Sequence, residues 1–258
     1  MLILLPPSEG KTATRRGAPL QPAALSFADL RDAREQLLDA TVAAARSPQA
    51  QEVFKVSGGV LDEVRANAAL RESPTAPAWA TYTGVLYDAY GYARLDAASK
   101  RRAGRRVVVF SALFGALRLG DRIPAYRLSG SVALPQIGSV SGFWGERLAP
   151  VLDPLARGLV IDCRSSAYAA MWRRPDAIGV RVFRDVGGTR KVVTHMAKHS
   201  RGLVARALCE SPAEPRTIAD LATLLGDYFA STPVHTATGA RVAISIEHTD
   251  STIDVVTD

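Results

Sequence analysis

Val107-Val108-Val109-Phe110-Ser111 is a run of β-branched and aromatic side chains with no polar alternation. A strand with one face in water alternates polar and apolar residues. An unbroken apolar run is satisfied by burial on both faces, in the middle of a sheet covered by helices. Leu159-Val160-Ile161-Asp162-Cys163 is a second such run. A loop and then a helix-like pattern follow each, which suggests βαβ units and a largely parallel or mixed sheet. Leu2-Ile3-Leu4-Leu5, stopped by Pro6-Pro7, reads as the first strand. The expected fold is α/β (mixed α+β): one compact domain over residues 1–258, with a central mixed sheet flanked by helices.

The remaining elements follow from periodicity. Leu30, Leu37, Leu38 and Val42 recur at helical spacing over 28–46. Residues 49–56 and 60–71 read as two shorter helices joined at Ser57-Gly58-Gly59. Lys100-Arg101-Arg102-Ala103-Gly104-Arg105-Arg106 reads as a basic turn before the central strand. A hairpin around Gly187-Gly188 is expected, then helices over 197–209 and 217–229. Val242, Ile244 and Ile246, then Ile253 and Val255, alternate as a two-stranded edge ribbon would.

Bulk properties narrow the function classes. Lys and Arg exceed Asp and Glu by 32 − 25 = 7. That balance favours anionic partners such as nucleic acid, nucleotides or phosphorylated metabolites. Cys163 and Cys209 are too few for a disulfide scaffold, and a reducing cytosol is the expected compartment. No apolar run has the length of a membrane helix, and Met1–Leu5 lacks the basic flank and core length of a signal peptide.

Several segments carry polar groups where α/β proteins place their ligands, beyond the carboxyl ends of strands. Pro6-Pro7-Ser8-Glu9-Gly10-Lys11-Thr12 ends like a phosphate-binding loop, but Leu5 stands where such a loop needs its first glycine. Ser8 and Lys11 have the Ser-x-x-Lys spacing of some acyl-transfer enzymes, although Pro6 and Pro7 argue against the helical turn that pairs them. With Thr12 they are placed to meet an anion. Ser111 to Arg118 and then Tyr126-Arg127 follow the central strand and offer a stacking face and a bidentate anion fork. Asp162 to Tyr168 follow the next strand, where Ser165 or Ser166 is expected to cap a helix. Lys198 and Arg201 are three apart and share a helix face. His195 and His199 have the helical spacing of metal ligands, but no third ligand is near, and no metal or other cofactor is expected. Lys55 and Arg65 flank the Gly58-Gly59 turn, whose backbone amides are candidates to hold a phosphate.

Taken in order, these segments resemble the YaaA family of peroxide stress proteins. The pieces are Met1 to Leu4 with Ser8-x-x-Lys11, Tyr82-Thr83-Gly84, Ser111 to Arg118, Pro124-Ala125-Tyr126-Arg127-Leu128, Phe143-Trp144-Gly145-Glu146, Val160 to Tyr168, and Ala197-Lys198-His199-Ser200-Arg201-Gly202. The resemblance implies a compact α/β domain with a positively charged cleft, and DNA binding linked to protection from peroxide and free iron. It also implies a helix-hairpin-helix-like element, matched here by 49–70. That element usually spaces its glycines two apart, whereas Gly58 and Gly59 are adjacent.

Two functions follow as expectations. The first is a monomeric cytoplasmic stress protein that binds DNA or another nucleic acid. Thr12, Lys55, Gly58, Gly59, Arg65, Thr83, Arg118, Arg127, Tyr168 and Arg201 would meet the ligand, with Tyr82 or Tyr126 stacking on bases. The second is an enzyme acting on a small anionic or nucleotide-like substrate, with Ser8, Lys11, Ser165 and Lys198 as catalytic candidates.

Overall fold

The computed structural model describes residues 1–187, 189–192, 194–235 and 241–258, apart from the side chains of Val186, Val192, Thr194, His195, Met196 and His235. Its centre is an eight-stranded mixed sheet. We label its strands β1 (Leu2–Leu5), β2 (Val107–Ser111), β3 (Gly115–Leu117), β4 (Val160–Asp162), β5 (Ile178–Val186), β6 (Thr189–Val192), β7 (Ile244–His248) and β8 (Thr252–Thr257). The order is β7-β8-β5-β4-β1-β2-β3, with β6 paired to β5. β8, β5, β4, β1 and β2 run parallel, while β3, β6 and β7 are antiparallel additions.

The apolar runs occupy the positions their composition requires. All of β1 and β2 is buried, in the register Ile3↔Val107, Leu4↔Val108 and Leu5↔Val109. On the other side Ile3 pairs with Ile161. The chain therefore leaves β1 for β2 on one side and later returns to the opposite side at β4. That reversal opens a crevice at the carboxyl ends of β1 and β4, where open α/β sheets bind ligands.

Helices cover the sheet. Arg31–Arg46 buries Leu37, Leu38 and Thr41, and its buried Arg34 donates to the carbonyls of Phe114, Ala116 and Ser26 at 3.1, 2.8 and 2.7 Å. Thr194–Glu210 lies against the short helix Val85–Tyr90, where a Cβ on Gly202 would fall 2.2 Å from the Leu86 carbonyl oxygen. Ile218–Ser231 begins with a capping box between Thr217 and Asp220. Among the described residues no helix is long and apolar enough to cross a membrane.

Three local readings change. The basic stretch before β2 is the last part of a helix, Ala97–Arg106, and not a turn. The Asp96 side chain accepts the Ser99 N–H at 2.6 Å and caps it, and arginine and alanine are good helix formers. The tail is more than an edge ribbon. β7 and β8 pair antiparallel, but β8 also pairs in parallel with β5 from Thr252↔Gly179 to Thr257↔Arg184, burying Ile253 and Val255. Segment 49–70 is more broken than two helices. It comprises Ala50–Val53, a 3-10 turn at Gly58–Val60, Leu61–Ala66 and a second 3-10 turn at Asn67–Ala69. The hairpin of β5 and β6 forms, while Gly188 lies outside the described residues.

Candidate functional site

Pro6-Pro7 ends β1, and the chain then turns across the crevice. The Ser8 hydroxyl accepts the Thr83 N–H at 3.0 Å and itself donates to the Gly10 carbonyl. Thr12 N–H donates to the Thr81 carbonyl at 2.9 Å, and Lys11 bridges Tyr82. Strand pairing thus replaces the helix a phosphate-binding loop would open. The Tyr87 hydroxyl donates to the Pro6 carbonyl at 2.8 Å and fixes the opposite wall.

Between these walls lies a cavity of about 670 Å³. Ser8, Glu9, Thr83 and Tyr87 line one side, Ser165 and Tyr168 the end of β4, and Lys198 and Arg201 the helix Thr194–Glu210. Its volume lies within the roughly 300–1,000 Å³ range of small-ligand sites. Ser165 has the backbone geometry of a helix cap but makes no side-chain capping bond, so its exposed hydroxyl faces the cavity uncommitted. Among the described residues neither Lys198 nor Arg201 has a carboxylate partner; the Arg201 guanidinium donates to the Val180 carbonyl at 3.1 and 3.2 Å. The Tyr168 hydroxyl accepts the Gly130 N–H, and burial pushes its pKa up to about 12, so it stays neutral.

Lys11 lies behind the Ser8–Gly10 turn. Its ammonium donates to the carbonyls of Ser8 and Glu9 at 2.6 and 3.3 Å and sits 4.3 Å from the Tyr126 ring centroid. Burial lowers its pKa to about 8; the Glu9 charge opposes this and the Arg127 charge adds to it. Its amine is bonded to the Ser8 backbone, in place of the Ser-to-Lys side-chain pairing an acyl-transfer enzyme uses. Tyr82 and Tyr126 do not open onto the cavity. Their hydroxyls are 3.0 Å apart in a buried chain that continues to Ser111 at 2.8 Å.

Arg127 lines a second, adjoining cavity of about 220 Å³ with Lys55, Ser129 and Ser131, and Glu9 lines both. The buried Asn67 amide holds the Arg127 backbone by two bonds, 2.7 Å to its carbonyl and 2.9 Å from its N–H. The guanidinium meets Glu9 at 3.1 Å and Glu63 at 3.4 Å.

The other candidates lie elsewhere. Arg118 bonds the carbonyls of Arg105 and Val107, at the amino end of β2 and so at the opposite end of the parallel strands from the cleft. Gly58 and Gly59 are exposed and line neither cavity, and Arg65 lies 3.9 Å from Asp62 on the surface. Thr12 is exposed beside the bridge to Tyr82. The His195 side chain lies outside the described residues, and among those described no group of three His, Cys, Asp or Glu residues forms a metal site. Glu9, Glu63, Asn67 and Tyr87 also belong to the site, although they are not among the candidates the sequence suggests. Of these only Tyr87 had a usable signal, its place just after Thr83-Gly84.

Cys163 forms part of the cavity wall but is fully buried, and burial raises its thiol pKa to about 12; Cys209 is likewise raised to about 11. Peroxides and alkylating agents react with thiolates. Both thiols are therefore expected to resist iodoacetamide in the folded protein at pH 8 and to react fully in denaturant. Rapid loss of either thiol from the folded protein would contradict this geometry.

The sequence profile of the family described as "Peroxide stress protein YaaA" matches residues 1–232, ending before β7 and β8. Similar proteins include a UPF0246 protein of Streptomyces coelicolor, 45% identical over 235 residues, covering 88% of this chain and 90% of that one. Another is a UPF0246 protein of Corynebacterium efficiens, 43% identical over 230 residues, covering 87% and 91%. An uncharacterized protein of Campylobacter jejuni is 26% identical over 209 residues, covering 79% and 82%. On the length of the profile match and the identity of these relatives, the chain belongs to the YaaA family of peroxide stress proteins.

Proposed function

We propose that this protein serves in peroxide stress by binding nucleic acid, DNA above all, through the cleft at the carboxyl ends of β1 and β4. One observation carries the reading. Lys198 and Arg201, cations without a carboxylate partner among the described residues, line a nucleotide-sized cavity with the hydroxyls of Ser8, Thr83 and Ser165. Tyr87 and Tyr168 add aromatic walls to the same cavity. Aromatic walls with a basic rim suit an unstacked nucleotide, its base against a ring and its phosphates on the cations. A cavity of about 670 Å³ is too small to enclose a duplex segment, so single strands and strand ends are the favoured form.

The test is titration of a short single-stranded oligonucleotide and its duplex by fluorescence anisotropy at several salt concentrations. Tighter binding of the single strand is expected, with affinity falling steeply as salt rises, since each neutralised phosphate adds about 0.7 to the log–log slope. Affinity independent of salt, or preference for the duplex, would count against the reading.

A second reading rests on Lys11. An amine with its pKa lowered to about 8 by burial is suited to base or nucleophile chemistry on a small anionic substrate. Lys11 sits behind the turn and does not line the cavity, so this reading requires the Ser8–Gly10 turn to move.

A further inference from the structure

The smaller cavity beside the cleft has its own chemistry. Lys55 and Arg127 bring two cations to a space of about 220 Å³, and Ser129 and Ser131 bring two hydroxyls. Lys55 has a left-handed backbone, φ 53°, where a residue with a side chain carries strain. In that conformation its ammonium lies 3.5 Å from the Ser131 carbonyl. Asn67 fixes the Arg127 backbone, and the guanidinium fork, on a side chain only 22% exposed, also donates to the Glu9 backbone carbonyl at 3.4 Å, a bond that does not depend on the Glu9 side chain. Two carboxylates occupy that fork, Glu9 and Glu63. Carboxylate and phosphate oxygens use the same guanidinium donors.

We propose that this cavity is a phosphate-ester subsite and that Glu9 is its gate. The Glu9 carboxylate holds the Arg127 fork, and an incoming phosphate replaces it. Glu9 lies on the boundary of both cavities, so its displacement joins them. A strand with one nucleotide in the main cleft then places a neighbouring phosphate on Arg127 and Lys55. This last step rests on the nucleic-acid reading above; the subsite itself does not.

Inorganic phosphate is the probe, titrated by calorimetry into the intact protein and its variants. Glu9→Gln removes the competing carboxylate and is expected to tighten phosphate binding about three- to fivefold, the scale of one exposed ion pair. Lys55→Ala is expected to weaken it by a similar factor. Asp62→Asn makes the same charge change without touching Arg127, and is expected to leave affinity unchanged. The proposal is overturned if Glu9→Gln has no effect or weakens binding, or if Asp62→Asn matches it. It is also overturned if only Lys198→Ala and Arg201→Ala lower phosphate affinity. Oligonucleotides with and without a 5′-phosphate separate the two sources of the group. An equal gain from Glu9→Gln supports an internal phosphodiester at the subsite, and a gain confined to the phosphorylated strand supports a terminal phosphate there. Normal oligonucleotide binding without the Glu9 effect rejects the subsite and leaves the cleft reading standing. The Glu9 effect without oligonucleotide binding rejects the cleft reading and keeps the subsite.

Discussion

Gly202→Ala is expected to destabilise the protein by about 3 kcal/mol, the upper range for overpacking a close contact. A methyl group there would lie 2.2 Å from the Leu86 carbonyl oxygen and 2.9 Å from the Ala89 Cβ. Neither neighbour is the free end of a flexible side chain, so the helices Thr194–Glu210 and Val85–Tyr90 must separate. The melting temperature should fall by roughly 5–10 °C. Binding should fall with it, because both helices line the cleft: Lys198 and Arg201 lie on one, and Leu86 and Tyr87 on the other. The same substitution at Gly226, within Ile218–Ser231, meets nothing within 4 Å. There the gain in helix propensity should stabilise the protein by about 0.5–1 kcal/mol. Differential scanning calorimetry on the two variants checks the contrast, and equal melting temperatures would contradict it.

The double variant Lys198→Ala/Arg201→Ala is expected to lower oligonucleotide affinity by about 10- to 100-fold at low salt. It should also reduce the magnitude of the log–log salt slope by about 1.4, two phosphate contacts' worth for a single strand. Stability should respond differently at the two positions. Lys198 is exposed with no described partner, so its removal costs nothing measurable. Arg201 donates to the Val180 carbonyl, and its loss should cost about 1 kcal/mol. Anisotropy at several salt concentrations reads the affinity and the slope together. An unchanged slope would mean that these cations do not meet phosphates.

Much of the sheet was legible because its strands are buried on both faces. Val107–Phe110 and Val160–Ile161 have no exposed position, so composition alone announced them. β8 was harder: Ile253 and Val255 alternate with Asp254, the pattern of a half-exposed edge. Asp254 is nevertheless buried, because Arg181 on the neighbouring β5 takes both its oxygens, at 2.7 and 2.5 Å. A charge neutralised by a partner 73 residues away leaves no local trace. The helix before β2 was hidden by its many arginines, although Asp96 three residues before Ser99 is a cap signal.

The site shows the same division. Ser8, Ser165, Lys198 and Arg201 could be named because each follows a strand or shares a helix face, and strand ends converge in a parallel sheet. Arg118 and Arg127 look alike in sequence, yet one bonds carbonyls at the amino end of β2 and the other faces the second cavity. Glu9 carries no signal of its own because its role depends on Arg127, 118 positions later. No periodicity encodes that pairing; the return of the chain beside β1 creates it.

Entry of a nucleotide into the cleft differs from general attraction to a basic surface. Ser165→Trp tests it most directly. Ser165 is exposed, lines the cavity, makes no side-chain capping bond and carries no charge. An indole there fills the space while leaving the electrostatics and the core intact. The measurement is the fluorescence of a single 2-aminopurine in a bound oligonucleotide, which reports unstacking of that base. A clear change is expected on binding to the unaltered protein and is lost in Ser165→Trp, while weak, salt-sensitive binding persists. An identical change in both proteins would place the nucleotide outside the cleft.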